Sequence, residues 1–183
     1  MILSWFFFMP YLNVEIKAIC NDPSFVRSYL VNHGAIFKGI DEQTDTYFNV
    51  KAGRLKLREG TIENNLIFYN RTNQAGPKKS HFNLVKIEDA KGVKDVLERS
   101  CGIKMIVRKR REIYYIDNVK FHIDDVPGLG SFIEIEAGNI LANKTETELL
   151  DQCNFYLKEF GTKEEDLIAE SYSDLLMKLN DTI

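Results

Sequence analysis

Cysteine, proline, histidine and tryptophan are scarce in this chain of 183 residues, with three, four, three and one respectively. Cys20, Cys101 and Cys153 are odd in number and show no C-x-x-C spacing, which argues against a disulfide framework and a cysteine-based zinc site. Reduced thiols fit a cytoplasmic setting. With 44% hydrophobic and 28% charged residues, disordered and collagen-like architectures are excluded. No stretch reaches the ~20 apolar residues of a membrane span, so no membrane partner is expected. Met1–Pro10 is apolar but lacks the basic residues and the small-residue cleavage site of a secretory leader. Residues 1–11 are therefore read as an apolar N-terminal extension. Residues 12–183 are read as a single domain, long enough to bury a core unaided by disulfides.

Charge is present but segregated. The net charge is only −3. Residues 51–120 nevertheless carry 17 Lys and Arg against 8 Asp and Glu, while the flanks are correspondingly acidic. Segments of opposite sign either stay apart or meet in space.

Periodicity predicts an α+β domain. Seven or eight short strands, nearly all antiparallel by their connections, are interrupted by a few helices, and a closed or nearly closed barrel suits that many strands. Asp22-Pro23-Ser24 opens a helix that stops before Gly34, and Asp89–Ser100 forms another that stops at Gly102. Lys144–Phe160 and Ser171–Leu179 are amphipathic helices. Asn73–Ser80 reads as a Gly/Pro/Lys loop.

Alternate residues of a strand share a face, and the same kind of face recurs. Asn13, Glu15 and Lys17 oppose Val14, Ile16 and Ala18. Arg54, Lys56 and Arg58 oppose Leu55 and Leu57. Lys109 and Arg111 share a face, as do Lys120, His122 and Asp124. Glu134 and Glu136 oppose Ile133 and Ile135. The helices need an apolar sheet face to cover, which turns the charged faces into the barrel. There the cations outnumber what Glu15, Asp124, Glu134 and Glu136 can neutralise, and a polyphosphate would balance them. The carboxylates then suit a divalent cation, and oxygen ligands favour Mg2+ or Mn2+. The run Arg108–Arg111 is not read as a nucleic-acid patch, because alternation sends half of it to each side.

Several stretches occur in the order of a known family. They are Glu15-Ile16-Lys17, Asp45-Thr46-Tyr47-Phe48, Leu55-Lys56-Leu57-Arg58, Leu66-Ile67-Phe68-Tyr69 with Arg71, Lys109-Arg110-Arg111, His122-Ile123-Asp124-Asp125 running on to Phe132-Ile133-Glu134-Ile135-Glu136, and Ser171-Tyr172-Ser173-Asp174-Leu175-Leu176. Together the chain resembles the CYTH superfamily, the triphosphate tunnel metalloenzymes. Within it the Gly76–Ser80 loop and the Asp124–Gly130 turn are most similar to the class IV adenylyl cyclase branch, related to thiamine triphosphatase.

The resemblance implies an eight-stranded antiparallel β-barrel, a tunnel for a nucleoside or organic triphosphate, with helices packed outside. It implies that Lys17, Lys56, Arg58, Arg71, Lys109 and Arg111 hold phosphate oxygens. It implies that Glu15, Glu134 and Glu136, with Asp124 as an additional carboxylate, hold Mg2+ or Mn2+, and that the chain forms a homodimer. The expected activity is conversion of ATP to cyclic AMP and pyrophosphate. The alternatives are hydrolysis of thiamine triphosphate, a nucleoside triphosphate or tripolyphosphate, and binding without turnover. No general base stands out; His122 and Asp124 are the catalytic candidates. Two positions depart from the family pattern. Asn13 replaces the first Glu of its ExExK signature, and Asn70 sits where a basic residue is common.

Overall fold

Eight strands curl into a closed antiparallel barrel in the order β1-β5-β4-β3-β2-β6-β7-β8. The structure is a computed structural model that describes residues 12–70, 74–139 and 143–180. The expected N-terminal extension, and Arg71, lie outside the described residues. The elements are β1 (Asn13–Ile19), α1 (Pro23–Asn32), β2 (Ile36–Phe48), β3 (Arg54–Glu59), β4 (Asn65–Asn70), β5 (Lys78–Lys86), α2 (Ala90–Cys101), β6 (Ile103–Ile116), β7 (Val119–Val126), β8 (Gly130–Gly138), α3 (Glu146–Glu159) and α4 (Tyr172–Asn180).

The helix ends follow local chemistry. The Asp22 side chain accepts from the Phe25 backbone N–H and caps α1, with Pro23 in its first turn. Asp89 caps α2 in the same way, and Gly102, at φ +74°, ends it. Thr145 and Glu148 form a reciprocal capping box at the start of α3.

The aliphatic faces of β1, β7 and β8 do point outward. Val14, Ile16, Phe121, Ile123, Ile133 and Ile135 pack with Val26 and Leu30 of α1 and Leu149 and Cys153 of α3. This layer is the main hydrophobic core, and it fixes which face of each strand looks inward, since a slip of one residue would invert every side chain.

One sequence expectation is corrected. The segment read as a loop through Ser80 is already strand from Lys78. The turn signal of Gly76-Pro77 is real, but it ends sooner than the lysines suggest. β5 closes the barrel on β1 through a short seam that pairs Asn13 with Ser80 and Glu15 with Lys78. The buried Lys78 ammonium donates to the carbonyls of Ile168 and Ala169, at 3.0 and 2.8 Å.

Candidate active site

The barrel encloses a cavity of about 660 Å³, a size that suits a small-molecule ligand. Its wall includes Asn13, Glu15, Lys17, Lys56, Arg58, Lys109, Arg111, Lys120, His122, Glu134 and Glu136. Alternation thus carries these side chains from five strands into one space. Asp124 lies beneath them, fully buried. Arg54 turns away from the cavity and pairs with Asp174 of α4 at 2.8 Å.

Two carboxylates organise the cations. Asp45 accepts from Lys56 Nζ at 2.8 Å, from Arg58 Nε and Nη2 at 2.8 and 2.9 Å, and from Lys109 Nζ at 3.4 Å. Burial pushes its carboxyl up, but Arg58, Lys56 and Lys109 outweigh that and hold it well below the usual range. Asp124 takes a fork from Arg111, whose Nε and Nη2 donate at 2.6 and 2.5 Å, and a bond from the Tyr172 hydroxyl at 2.9 Å. Its oxygens meet Arg111 and Tyr172, and Glu134 is paired with cations in the same way.

The Arg111 guanidinium also reaches Glu134 Oε2 at 2.6 Å, and Lys17 Nζ lies 3.2 Å from Glu134 Oε1. Lys17 rests over the Tyr172 ring, 3.8 Å from its centre. Burial, then the neighbouring charges of Arg111 and Arg58, lower the Lys109 ammonium to about 7, against the pull of Asp45 and Asp124.

Glu63 comes from the loop between β3 and β4, where no periodicity announces it. Asp41 accepts from the backbone N–H groups of Ile62 and Glu63 at 2.8 and 3.1 Å and clamps that loop. The clamp delivers the Glu63 carboxylate to Arg58 at 3.0 Å and Lys120 at 2.6 Å. The buried Asp45 and the partly buried Glu63 pair with these cations and reduce the expected excess without removing it. Asp45 was readable in principle, since Gln43, Asp45 and Tyr47 alternate as the other inward faces do.

Three groups suit a divalent cation. One ligand atom each from His122, Glu134 and Glu136 lies within 4.8 Å of the others. Glu15 is the cross-strand partner of Glu136, and Glu134 that of His122, so carboxylates from β1 and β8 converge with the imidazole of β7. Both ring nitrogens of the buried His122 have no hydrogen-bond partner among the described residues. Hard oxygen donors beside an orphaned imidazole fit a metal ion well. Burial, then the charges of Arg111 and Lys120, lower the His122 pKa and keep its ring neutral at neutral pH.

The opposite arc differs. Ile67, Tyr69, Phe82 and Leu84, from β4 and β5, line the same cavity with largely apolar surface.

Among the described residues no helix is long and apolar enough to cross a membrane. Comparison with known proteins places this geometry in a family. A Methanocaldococcus jannaschii protein named as a candidate adenylate cyclase is 29% identical over 181 residues, covering 90% of this chain and 98% of its own. A Pyrococcus horikoshii protein of solved structure superposes with a TM-score of 0.76 at 24% identity, over 89% of this chain and 98% of its own. A Hippeastrum candidate adenylyl cyclase, described as having a dominant triphosphatase activity, superposes at 0.62 with 16% identity, over 92% and 96%. The CYTH domain family matches residues 12–172, and the chain belongs to that family.

Proposed function

We propose that this chain is a metal-dependent triphosphate-processing enzyme of the class IV adenylyl cyclase type, acting on ATP. The observation that carries the reading is the division of one cavity into three parts. Lysines and arginines are fixed by Asp45 and Asp124, a carboxylate and imidazole group stands beside them, and an apolar wall lies opposite.

Lys17, Lys56, Arg58, Lys109 and Arg111 bind the phosphate oxygens. Asp45 and Asp124 act as positioning residues. They hold the cationic heads in place before the substrate arrives, so the charge developing in the transition state meets donors that need little rearrangement. Glu15, Glu134 and Glu136 hold the divalent ion, Mg2+ or Mn2+, which when bound offsets phosphate charge and orients the chain of phosphates. The near balance of cations and carboxylates in the cavity suits a metal-complexed triphosphate better than a bare one. The wall of Ile67, Tyr69, Phe82 and Leu84 receives the organic part, which favours a nucleotide over inorganic tripolyphosphate. Attack of the ribose 3′-hydroxyl on the α-phosphorus then releases pyrophosphate. The name given to the Methanocaldococcus jannaschii relative supports the same reading.

Lys109 supplies a test of the phosphate grip. Its ammonium, lowered to about 7, faces Asp45 of β2, Arg58 of β3, Arg111 of β6, Asp124 of β7 and the Tyr172 ring of α4. A bound polyanion favours the charged form and raises this pKa. At pH 8 the empty site is mostly deprotonated, so binding of tripolyphosphate takes up close to one proton, and affinity falls as pH rises above about 7. Calorimetry in buffers of different ionisation heat reads the uptake. It should vanish in Lys109→Met; equal uptake in both proteins contradicts the assignment.

The function itself is tested by a substrate panel of ATP, other nucleoside triphosphates, thiamine triphosphate and tripolyphosphate with Mg2+ and with Mn2+. Cyclic AMP and pyrophosphate from ATP are the expected products. Orthophosphate identifies a hydrolase, and tight binding without turnover a sequestering module.

A further inference from the structure

Composition alone points to an all-oxygen cation site, because there are no clustered histidines in the sequence. The surroundings of Glu134 and Glu136 differ from that picture. His122 is 1% exposed, faces the cavity, and leaves both ring nitrogens without a hydrogen-bond partner among the described residues. A buried polar group left in that state is costly, and a ligand that takes it up removes the cost. Nδ1 lies 3.4 Å from Glu134 Oε2 and 3.5 Å from Glu136 Oε1. These are separations at which one ion can touch all three atoms. The three residues stand on two central strands in register, His122 opposite Glu134 with Glu136 two residues further on the same face. The arrangement is therefore held by the barrel and not by a loop.

We propose that His122 ligates, through Nδ1, the cation held by Glu134 and Glu136. The nitrogen biases the site toward first-row transition ions such as Mn2+, Co2+ and Ni2+ and away from Mg2+. Mg2+ takes oxygen ligands in near-ideal octahedral geometry. Imidazole suits the transition ions, and their affinity for a nitrogen-containing site rises from Mn2+ through Co2+ to Ni2+. The inference rests on the metal site of the proposed function but not on the reaction performed there.

The test is electron-spin-echo spectroscopy of Mn2+ added to the full chain, with and without tripolyphosphate. The expected spectrum shows nitrogen coupling to the ion, changed by 15N-histidine labelling and lost in His122→Asn. Calorimetric titration with Ni2+ and Mg2+ gives a second readout. The preference for Ni2+ should fall at least ~10-fold in His122→Asn, the scale on which even the supporting groups of metal sites act. The spectrum of the unsubstituted chain decides the matter even if the variant does not fold. Bound Mn2+ without histidine coupling overturns this inference and leaves the triphosphate reading standing. No bound Mn2+ under either condition overturns both.

Discussion

Glu136→Gln lowers metal-dependent turnover of ATP by about 100-fold or more. The substitution keeps the shape of the side chain and removes one charge from a residue that, in the proposed site, would hold the divalent ion. A loss of ~3 kcal/mol in transition-state stabilisation corresponds to that factor. Glu136 faces Glu15 across one strand boundary and Lys120 across the other, so the lost charge is at the centre of the carboxylate group. Part of the activity returns at high Mn2+ where weakened affinity is the cause. Asn13 lines the same cavity two residues before Glu15, and Asn13→Glu restores the charge that the family signature carries there. It should shift the Mn2+ dependence of activity to lower concentration. Titrating activity against Mn2+ for the three proteins checks both effects. An unmoved midpoint in Asn13→Glu together with full activity in Glu136→Gln would mean that these carboxylates do not bind metal.

Arg111→Met destabilises the fold by ~3–5 kcal/mol, the cost of removing one partner from a buried ionic network. Arg111 is 2% exposed and donates to both Asp124 and Glu134. Methionine fills much of the volume but leaves the buried Asp124 and the partly buried Glu134 without their shared guanidinium. For a chain of this length the loss corresponds to a melting temperature lower by on the order of 10 °C. The sign of the pH dependence follows from the pairing. Burial raises the carboxyls of Asp124 and Glu134, but Arg111 outweighs it and holds both below their ordinary values. Their stabilisation is present above the unfolded carboxylate pKa and is lost as pH falls through the depressed folded values. In Arg111→Met both groups titrate higher, so the gap to the parent protein narrows below about pH 4. Adding Asp124→Asn recovers part of the loss at neutral pH. A single variant that melts within a degree or two of the parent contradicts the network.

Much of this cavity was legible because the side-chain period of a strand is local. Glu15 and Lys17, Lys56 and Arg58, Lys109 and Arg111, and Glu134 and Glu136 each lie two residues apart, and the aliphatic residues between them state which face packs under helices. Asp45 carried the same signal but stood within a motif read for its order and not for its alternation. Glu63 could not be found that way, since its position depends on Asp41, 22 residues earlier in the chain, capping two loop amides. β5 was hidden by its own turn: Gly76 and Pro77 argue for a loop, while pairing with β1 and β4 is a long-range property that makes Lys78–Lys86 a strand. The apolar arc of Ile67, Tyr69, Phe82 and Leu84 went unread for the same reason. The bond that Asp124 accepts from Tyr172, 48 residues away, is a long-range contact that alternation along one strand does not announce. His122 was visible as a member of the inward face, but only the packed barrel shows its ring nitrogens to lack a hydrogen-bond partner among the described residues.

The central claim is that one cavity holds both a divalent ion and a triphosphate. It is tested most directly by crystals of the full chain grown with Mn2+ and tripolyphosphate, with the ion located by its anomalous scattering. The expected result is Mn2+ against Glu134 and Glu136, with phosphate oxygens within hydrogen-bond reach of Lys17, Lys56, Arg58, Lys109 and Arg111. Phosphates bound outside the barrel, or an interior that takes up neither ion nor anion, would contradict it.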